Sequence, residues 1–296
     1  MRQRVVTIAM PLAREGRGLE ATIQAYLSQV HPVFMLPPVA ASLFGGVLAG
    51  EIVPGPASVH VVAIFTAVYT AHLKDGYVDF HVRGEDDDHP LTVRGCRVGL
   101  VTSTAVFAGC CLLLYALVDL AAVALTLPTW LIAYHHAPQL DTNPITATTG
   151  YPLGIALAIL GGFYVQATTV TAVALGFALV FLVLLSGIKV IDDAQDYEYD
   201  RSISKRTVAV VLGPERAIAA AYGLMGFALV AVVGFVAFQI FPPTAVLAAL
   251  AFGLVAMAAR RAEPDLATML LIRGSYVFLA FLVAAVWFDP TTLSTG

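Results

Sequence analysis

Charge is scarce in this chain. Asp, Glu, Lys and Arg supply 12% of the 296 residues, about half the share of an ordinary soluble domain, which excludes a solvated globular fold. Cysteine is scarce too: only three are present, two of them the adjacent Cys110-Cys111 in an apolar run. That number supports no disulfide framework and reads as small lipid- or core-facing side chains. Sequence signatures of several large enzyme classes are also missing. No Walker loop, dinucleotide-binding glycine fingerprint, HExxH helix or nucleophile elbow occurs, so P-loop, Rossmann, zincin and hydrolase chemistry have no foothold. No nucleic-acid partner is expected.

What the chain has instead is grease. Hydrophobic residues make up 59% of it and the mean hydropathy is +0.83. Apolar runs long enough to cross a bilayer recur at 33–50, 57–74, 96–115, 117–134, 151–168, 170–190, 216–240, 243–259 and 268–288. The least secure boundary lies between the third and fourth runs, where only Asp119 and its neighbours interrupt. Gly45-Gly46, Pro37-Pro38 and Gly161-Gly162 inside the runs are tolerated in membrane helices. The expected fold is therefore an all-α integral membrane protein. Nine transmembrane helices would bundle around a central apolar cavity within one domain, residues 25–290. A leader (1–24) precedes it and a short tail (291–296) follows.

Basic residues test that count. All 16 Lys and Arg fall in the N-terminal segment or around the loops after the second, sixth and eighth runs. The alternate loops, such as 51-EIVPGP-56, contain none. Positive charge is retained in the cytoplasm, so the N-terminus and these loops are expected to face the cytoplasm in a multi-pass protein of the cell membrane. The start 1-MRQRVVTIAMPLAREGRG-18 has a basic beginning and a short apolar run, but Pro11 and further charge argue for a leader that is not a cleaved signal.

Against this background, 192-DDAQDYEYDRSISKRT-207 stands out. Asp192, Asp196 and Asp200 are spaced i, i+4, i+8, so a continuing helix would stack three carboxylates on one face. Such a stack repels itself unless a cation sits among the acids. A hard divalent ion, above all Mg²⁺, suits oxygen ligands and leaves positions for water and phosphate oxygens. Lys205 and Arg206 follow as phosphate donors. After the second run, Asp75 and Asp79 repeat the four-residue spacing, each 117 residues before its counterpart, Asp192 and Asp196. That regularity suggests two four-helix pseudo-repeats plus one helix. Two facing carboxylate pairs could hold metal around a diphosphate and assist its departure. The simpler alternative is a pair of solvated acidic loops. Asp86, Asp87 and Asp88 read as a solvated turn, and His135-His136 as a polar loop pair. His72 is a helix-end residue or a supporting group, and the sequence does not choose. A cation transporter would carry acids in mid-span, whereas these cluster at the ends.

These residues resemble the UbiA family of intramembrane prenyltransferases, whose pattern places two aspartate-rich motifs after the second and sixth of nine helices. The second motif matches in Asp192, Asp196 and Asp200, then 205-KRT-207 and 212-LG-213, with Ser204 where the family usually has Gly. The segment 134-YHHAPQLDTNPITATTGYPLG-154 resembles the loop after the fourth helix, including Tyr134. The stretch 26-YLSQVHPVFML-36 resembles the start of the first helix. The first motif departs from the pattern. In the better register Asp75 takes the Asn position, Asp79 the first Asp, and Arg83 stands where the last Asp belongs, with Glu85 or Asp86 as substitutes. The alternative register sets Ala71, Asp75 and Asp79 in those places, restoring two acids but losing the Asn. A basic residue expected near Asp141 is also missing.

The resemblance implies Mg²⁺-dependent transfer of a polyprenyl group from a polyprenyl diphosphate to a lipophilic acceptor: a quinone precursor, a glycerol-lipid phosphate or a carotenoid. Asp75, Asp79, Asp192, Asp196 and Asp200 would be the catalytic, metal-holding acids, and Arg83, Tyr134, Lys205 and Arg206 the substrate contacts. The lipid bilayer is the remaining partner. Tyr77, Tyr134, Tyr164 and Tyr197 are candidates to stabilise an allylic cation. A divergent member with weak or no activity, or a membrane cation transporter, is the alternative.

Overall fold

A computed structural model describes residues 11–288, so Arg2, Arg4 and the expected tail 291–296 lie outside the described residues. Among the described residues the chain is helical throughout, apart from one isolated bridge between Ala13 and Leu91. A short α1, Gly18–Leu27, meets α2, Pro32–Leu48, at a bend of 67°. The long helices α3 (Pro54–Gly76), α4 (Val93–Leu117), α5 (Leu120–His135), α6 (Pro144–Ala167) and α7 (Ala172–Gln195) follow. Two short helices, α8 (Tyr197–Ser202) and α9 (Val208–Leu212), lead into α10 (Pro214–Ala237), α11 (Val246–Ala259) and α12 (Pro264–Phe288).

A helix occupies every apolar run read from the sequence, but not all are equally long. Six are long and apolar enough to cross a membrane, and the bent pair α1–α2 would make a seventh. The helices Leu120–His135 and Pro243–Ala259 are apolar but shorter. Lipid contact is written on the outside: Leu112, Val101, Val230 and Leu254 are each about 70% exposed, which only a hydrocarbon solvent would accept in such number. The chain is a multi-pass membrane protein.

The insecure boundary between α4 and α5 is resolved by Asp119. Its carboxylate accepts from Ala122 N at 3.0 Å, capping α5, and from Tyr164 Oη at 2.8 Å. The cap bonds hold Asp119 below the usual carboxylate range. Short turns make successive long helices antiparallel. One end of the bundle then gathers the acidic segments, while the opposite turns (49–53, 118–119, 168–171 and 238–242) carry no Lys or Arg.

Packing is tightest where side chains are smallest. A Cβ on Gly45 would lie 2.2 Å from Ile159 O, and one on Gly162 would lie 2.0 Å from Ser42 O. The α2 and α6 backbones therefore touch, as small residues permit between membrane helices. Behind them, Phe44, Phe177, Phe181, Phe241 and Phe278 fill the main core, with Phe177 stacked on Phe241 at 3.7 Å between ring centroids. A cavity adjoins this core, bounded by α2, α3, α5, α6, α7 and α12.

Candidate active site

The cavity holds about 450 Å³. Its depth is lined by Ala41, Ile64, Ile155, Phe181 and Leu279, and its rim by His72, Asp75, His136, Lys189 and Asp192. The two aspartate motifs thus open onto one space, with an apolar trough beneath a polar mouth.

Local helix geometry sets how each acid is presented. Beyond Gly76, α3 widens into a π-helix, Tyr77–Arg83, a distortion frequent at functional sites. It ends at Gly84, whose φ of 66° lets the chain turn back. Asp75 is drawn under this turn and one of its oxygens, Oδ1, is buried without a partner. Asp79 lies 3.5 Å from Arg83 Nη1. Arg83 Nη2 donates to Asp141 Oδ2 at 2.7 Å, and its Nε lies 3.5 Å from Glu85 Oε1. The position that should carry a third acid therefore carries a guanidinium held by three acids.

The second motif does not form a single helical face. α7 stops at Gln195, and the chain bends at Asp196 before α8 begins. As a result Asp192 points into the cavity, Asp196 is exposed and Asp200 is buried at 4% exposure. Burial pushes the Asp200 carboxyl up to about 6, with Lys205 pulling it back. Lys189 Nζ lies 2.9 Å from Asp192 Oδ2 and 2.7 Å from Asp193 Oδ1, so the second motif carries its own counter-ion.

Lys205 joins the two motifs. Its Nζ is 3.8 Å from Asp200 Oδ1, and its charge also acts on Asp75 and Asp79. Tyr199 makes a second link through a hydrogen bond to Glu85. Burial first, and that bond second, push the Tyr199 hydroxyl up to about 12. Arg206 is exposed, but its backbone N–H donates to Asp141 O at 3.1 Å, pinning the loop after α5. Tyr134 stacks on Trp130, and Lys74 Nζ sits 4.8 Å above its ring.

The expected cation-facing tyrosines are distributed otherwise. Tyr164 is engaged at the far end with Asp119, Tyr197 packs on the main core and Tyr77 on a smaller cluster. The tyrosines lining the cavity are Tyr151 and Tyr276, whose hydroxyls donate to Phe34 O at 3.2 Å and Val33 O at 2.5 Å. Sequence reasoning also passed over Lys189, Asp193, His136 and Asp141 as site residues. Lys189 carried a usable signal, because a lysine near the end of an apolar span with acids at i+3 and i+4 calls for a function. Asp141 and His136 carried none, since they reach the site only through the fold of the loop after α5.

Four carboxylate oxygens of these segments are buried without a hydrogen-bond partner: Asp75 Oδ1, Asp141 Oδ1, Asp193 Oδ2, and Glu85 Oε1, which faces Arg83 Nε at 3.5 Å. Such oxygens are costly to bury, and oxygen ligands suit a hard divalent cation.

Comparison with known proteins fits this geometry. No curated protein sequence matches the chain. Among solved structures, one of a digeranylgeranylglyceryl phosphate synthase in membranes superposes with a TM-score of 0.68 at 13% identity, covering 93% of this chain and all of that one. A UbiA homologue from Archaeoglobus fulgidus, bound to DMAPP and Mg²⁺, gives 0.62 at 16% identity over 90% of this chain and 99% of its own. An apo UbiA homologue from Aeropyrum pernix K1 gives 0.68 at 14% identity over 88% and 99%. At such identities the likeness is one of fold. The sequence pattern of the UbiA prenyltransferase family matches residues 88–281, about two thirds of the chain, and the protein belongs to the UbiA prenyltransferase family.

Proposed function

We propose that the protein is a Mg²⁺-dependent prenyltransferase of the cell membrane, moving a polyprenyl group from its diphosphate to a lipophilic acceptor. The acceptor class is a quinone precursor, a glycerol-lipid phosphate or a carotenoid. One observation carries the reading: Asp75 and Asp192, from motifs 117 residues apart in sequence, line the mouth of the same apolar cavity. The Archaeoglobus homologue bound to DMAPP and Mg²⁺ supports the donor class. In this reading all nine apolar helices cross the bilayer, residues 25–290 act as one domain, and the N-terminus and acidic rim face the cytoplasm, where positive charge is retained.

Asp75, Asp79, Asp192, Asp196 and Asp200 would hold the metal, with Glu85 or Asp141 supplying what Arg83 removes from the first motif. Mg²⁺ supplies Lewis-acid neutralisation of the diphosphate oxygens. The chain's own part is positional. Lys189, Lys205 and Arg206 offer N–H donors to the diphosphate, and Arg83 adds a cation anchored by Asp79 and Asp141. The isoprenoid tail lies in the trough, whose apolar walls keep water from the reacting carbon. The allylic C–O bond breaks with its electron pair leaving on diphosphate. The acceptor nucleophile forms the new bond and releases a proton to solvent. Tyr151 and Tyr276 in the cavity offer π-faces to the cation, whereas Tyr134 lies outside the lining with its ring between Trp130 and Lys74.

The test is purified protein in nanodiscs with radiolabelled geranylgeranyl diphosphate and lipid extracts, with and without Mg²⁺. A labelled lipid product that requires Mg²⁺ and falls roughly 100-fold or more in Asp192→Ala is the expected result. Product that survives Asp192→Ala and Asp196→Ala overturns the metal assignment. Ion flux in proteoliposomes without any product would favour a transporter.

A further inference from the structure

A cluster of ligating side chains lies outside the cavity lining. His81, His89 and Cys96 bring one ligand atom each to within 4.8 Å of one another. His89 and Cys96 are 4% and 0% exposed, and His89 Nε2 lies 3.4 Å from Cys96 Sγ. The three come from different segments: the π-helix, the loop after it, and the first turn of α4. The chain has only seven His and three Cys, so this convergence uses a large part of its soft-ligand supply.

His81 adds an independent sign. Its Nε2 lies 3.0 Å from Leu91 O; a carbonyl can only accept, so Nε2 carries the hydrogen and Nδ1 the lone pair. A ring N–H donated to a backbone carbonyl is how metal-bound histidines are usually oriented. Phe80 packs against His81 and His89, and the Arg14 guanidinium lies 4.3 Å over the Phe80 ring and pairs with Asp88 at 2.9 Å.

We propose that His81, His89 and Cys96 form a binding site for a divalent cation of the zinc class, separate from the acidic diphosphate site. Tetrahedral Zn–N and Zn–S bonds set donors roughly 3.5 Å apart, so the cluster needs only a small contraction. Binding would release the Cys96 proton to solvent and leave a fourth position for water. The ion would tie the loop 84–92 and the start of α4 to the π-helix, fixing from behind the segment that carries Asp79 and Arg83.

The test uses the full-length protein in detergent, first cleared with chelator and then given Co²⁺ or Zn²⁺ in excess Mg²⁺. Co²⁺ should produce thiolate-to-metal charge-transfer absorption, which the acidic site cannot give because it has no sulfur. The expected stoichiometry is one Zn²⁺ per chain by elemental analysis, with a zinc-induced rise in Tm. Cys96→Ala should abolish the absorption, and His81→Ala, at a half-buried position, should weaken Zn²⁺ binding by at least about tenfold. Cys110→Ser should change nothing. Absence of the thiolate band in the wild-type protein, or a band retained in Cys96→Ala, overturns the proposal. So does equal zinc retention in wild type and in both ligand variants.

Discussion

Arg83 donates to Asp141 at 2.7 Å across 58 residues of sequence. In the family pattern an acid belongs at the first of these positions and a base is expected near the second. This ion pair thus carries the opposite signs to those that the resemblance implies at the two places. Both side chains are more than four-fifths buried, which makes either one costly to leave alone.

A charge-exchange cycle follows from that pair. Arg83→Asp alone would crowd a fourth carboxylate against Asp79, Glu85 and Asp141, and Asp141→Arg alone would set two cations together. Each should lower stability and prenyl transfer sharply. The double variant should recover much of both, with a coupling energy of about 1–3 kcal/mol. Thermal unfolding of all four proteins in nanodiscs measures it, and additive losses would sink the idea of a swapped pair.

If Asp200 holds Mg²⁺ as proposed, the stabilising effect of the metal depends on pH. Its folded value of about 6 stands above the ordinary carboxyl value near 4. Ionisation therefore opposes the fold, and the metal-free protein loses this contribution as pH rises from about 4 through about 6. Mg²⁺ held there would bind the ionised form and offset that loss, so its stabilising effect should be larger near pH 7.5 than near pH 5. Asp200→Asn should flatten the metal-free stability profile over that window. Tm measured with and without Mg²⁺ across the range checks both, and an equal Mg²⁺ shift at the two ends would refute the assignment.

Lys189 is the counter-ion of the second motif. Asp193 is 5% exposed on its side chain and meets Lys189 Nζ at 2.7 Å. Lys189→Met would strand that carboxylate, at about 3–5 kcal/mol in metal-free protein. Lys189→Met with Asp193→Leu should cost much less, because neither charge is left alone. Lys205 sits 3.8 Å from Asp200, a looser pair, so Lys205→Met should cost less than Lys189→Met. Chemical unfolding in chelator ranks the three variants.

The sequence made the helices and the acidic positions legible, for reasons visible in single residues. Long apolar runs leave the backbone no option but helix in lipid, and Asp119 marked the one doubtful break because a short acid there can cap α5. The four-residue spacing of Asp75 with Asp79 and of Asp192 with Asp196 showed which positions belong together. It did not show their directions. A bend at Asp196 turns Asp200 inward and leaves Asp196 in solvent, and the π-helix swings Arg83 onto Asp141. Neither distortion has a local sequence signal, since each arises where a helix leaves the bundle and competes with tertiary ion pairs. His136 and Asp141 escaped for the same reason.

Ser204 offers the cleanest test of how the family pattern encodes backbone shape. It stands where the family usually has glycine, and its φ is 63°, in the left-handed region. That conformation costs a residue with a Cβ about 1–2 kcal/mol, and it is needed here. The turn returns the Lys205 N–H to Asp200 O at 2.9 Å, which sets Lys205 beside the acids. Ser204→Gly removes the strain but gives the unfolded chain more freedom, worth roughly 0.5–1 kcal/mol the other way. The net expectation is a gain of about 0.5 kcal/mol in stability with the Lys205 position and transfer activity unchanged. Ser204→Val, β-branched and intolerant of positive φ, should lose stability and weaken diphosphate binding together. Tm and the KM for the prenyl diphosphate measured on both variants decide it: if valine is tolerated as well as glycine, the turn does not position Lys205.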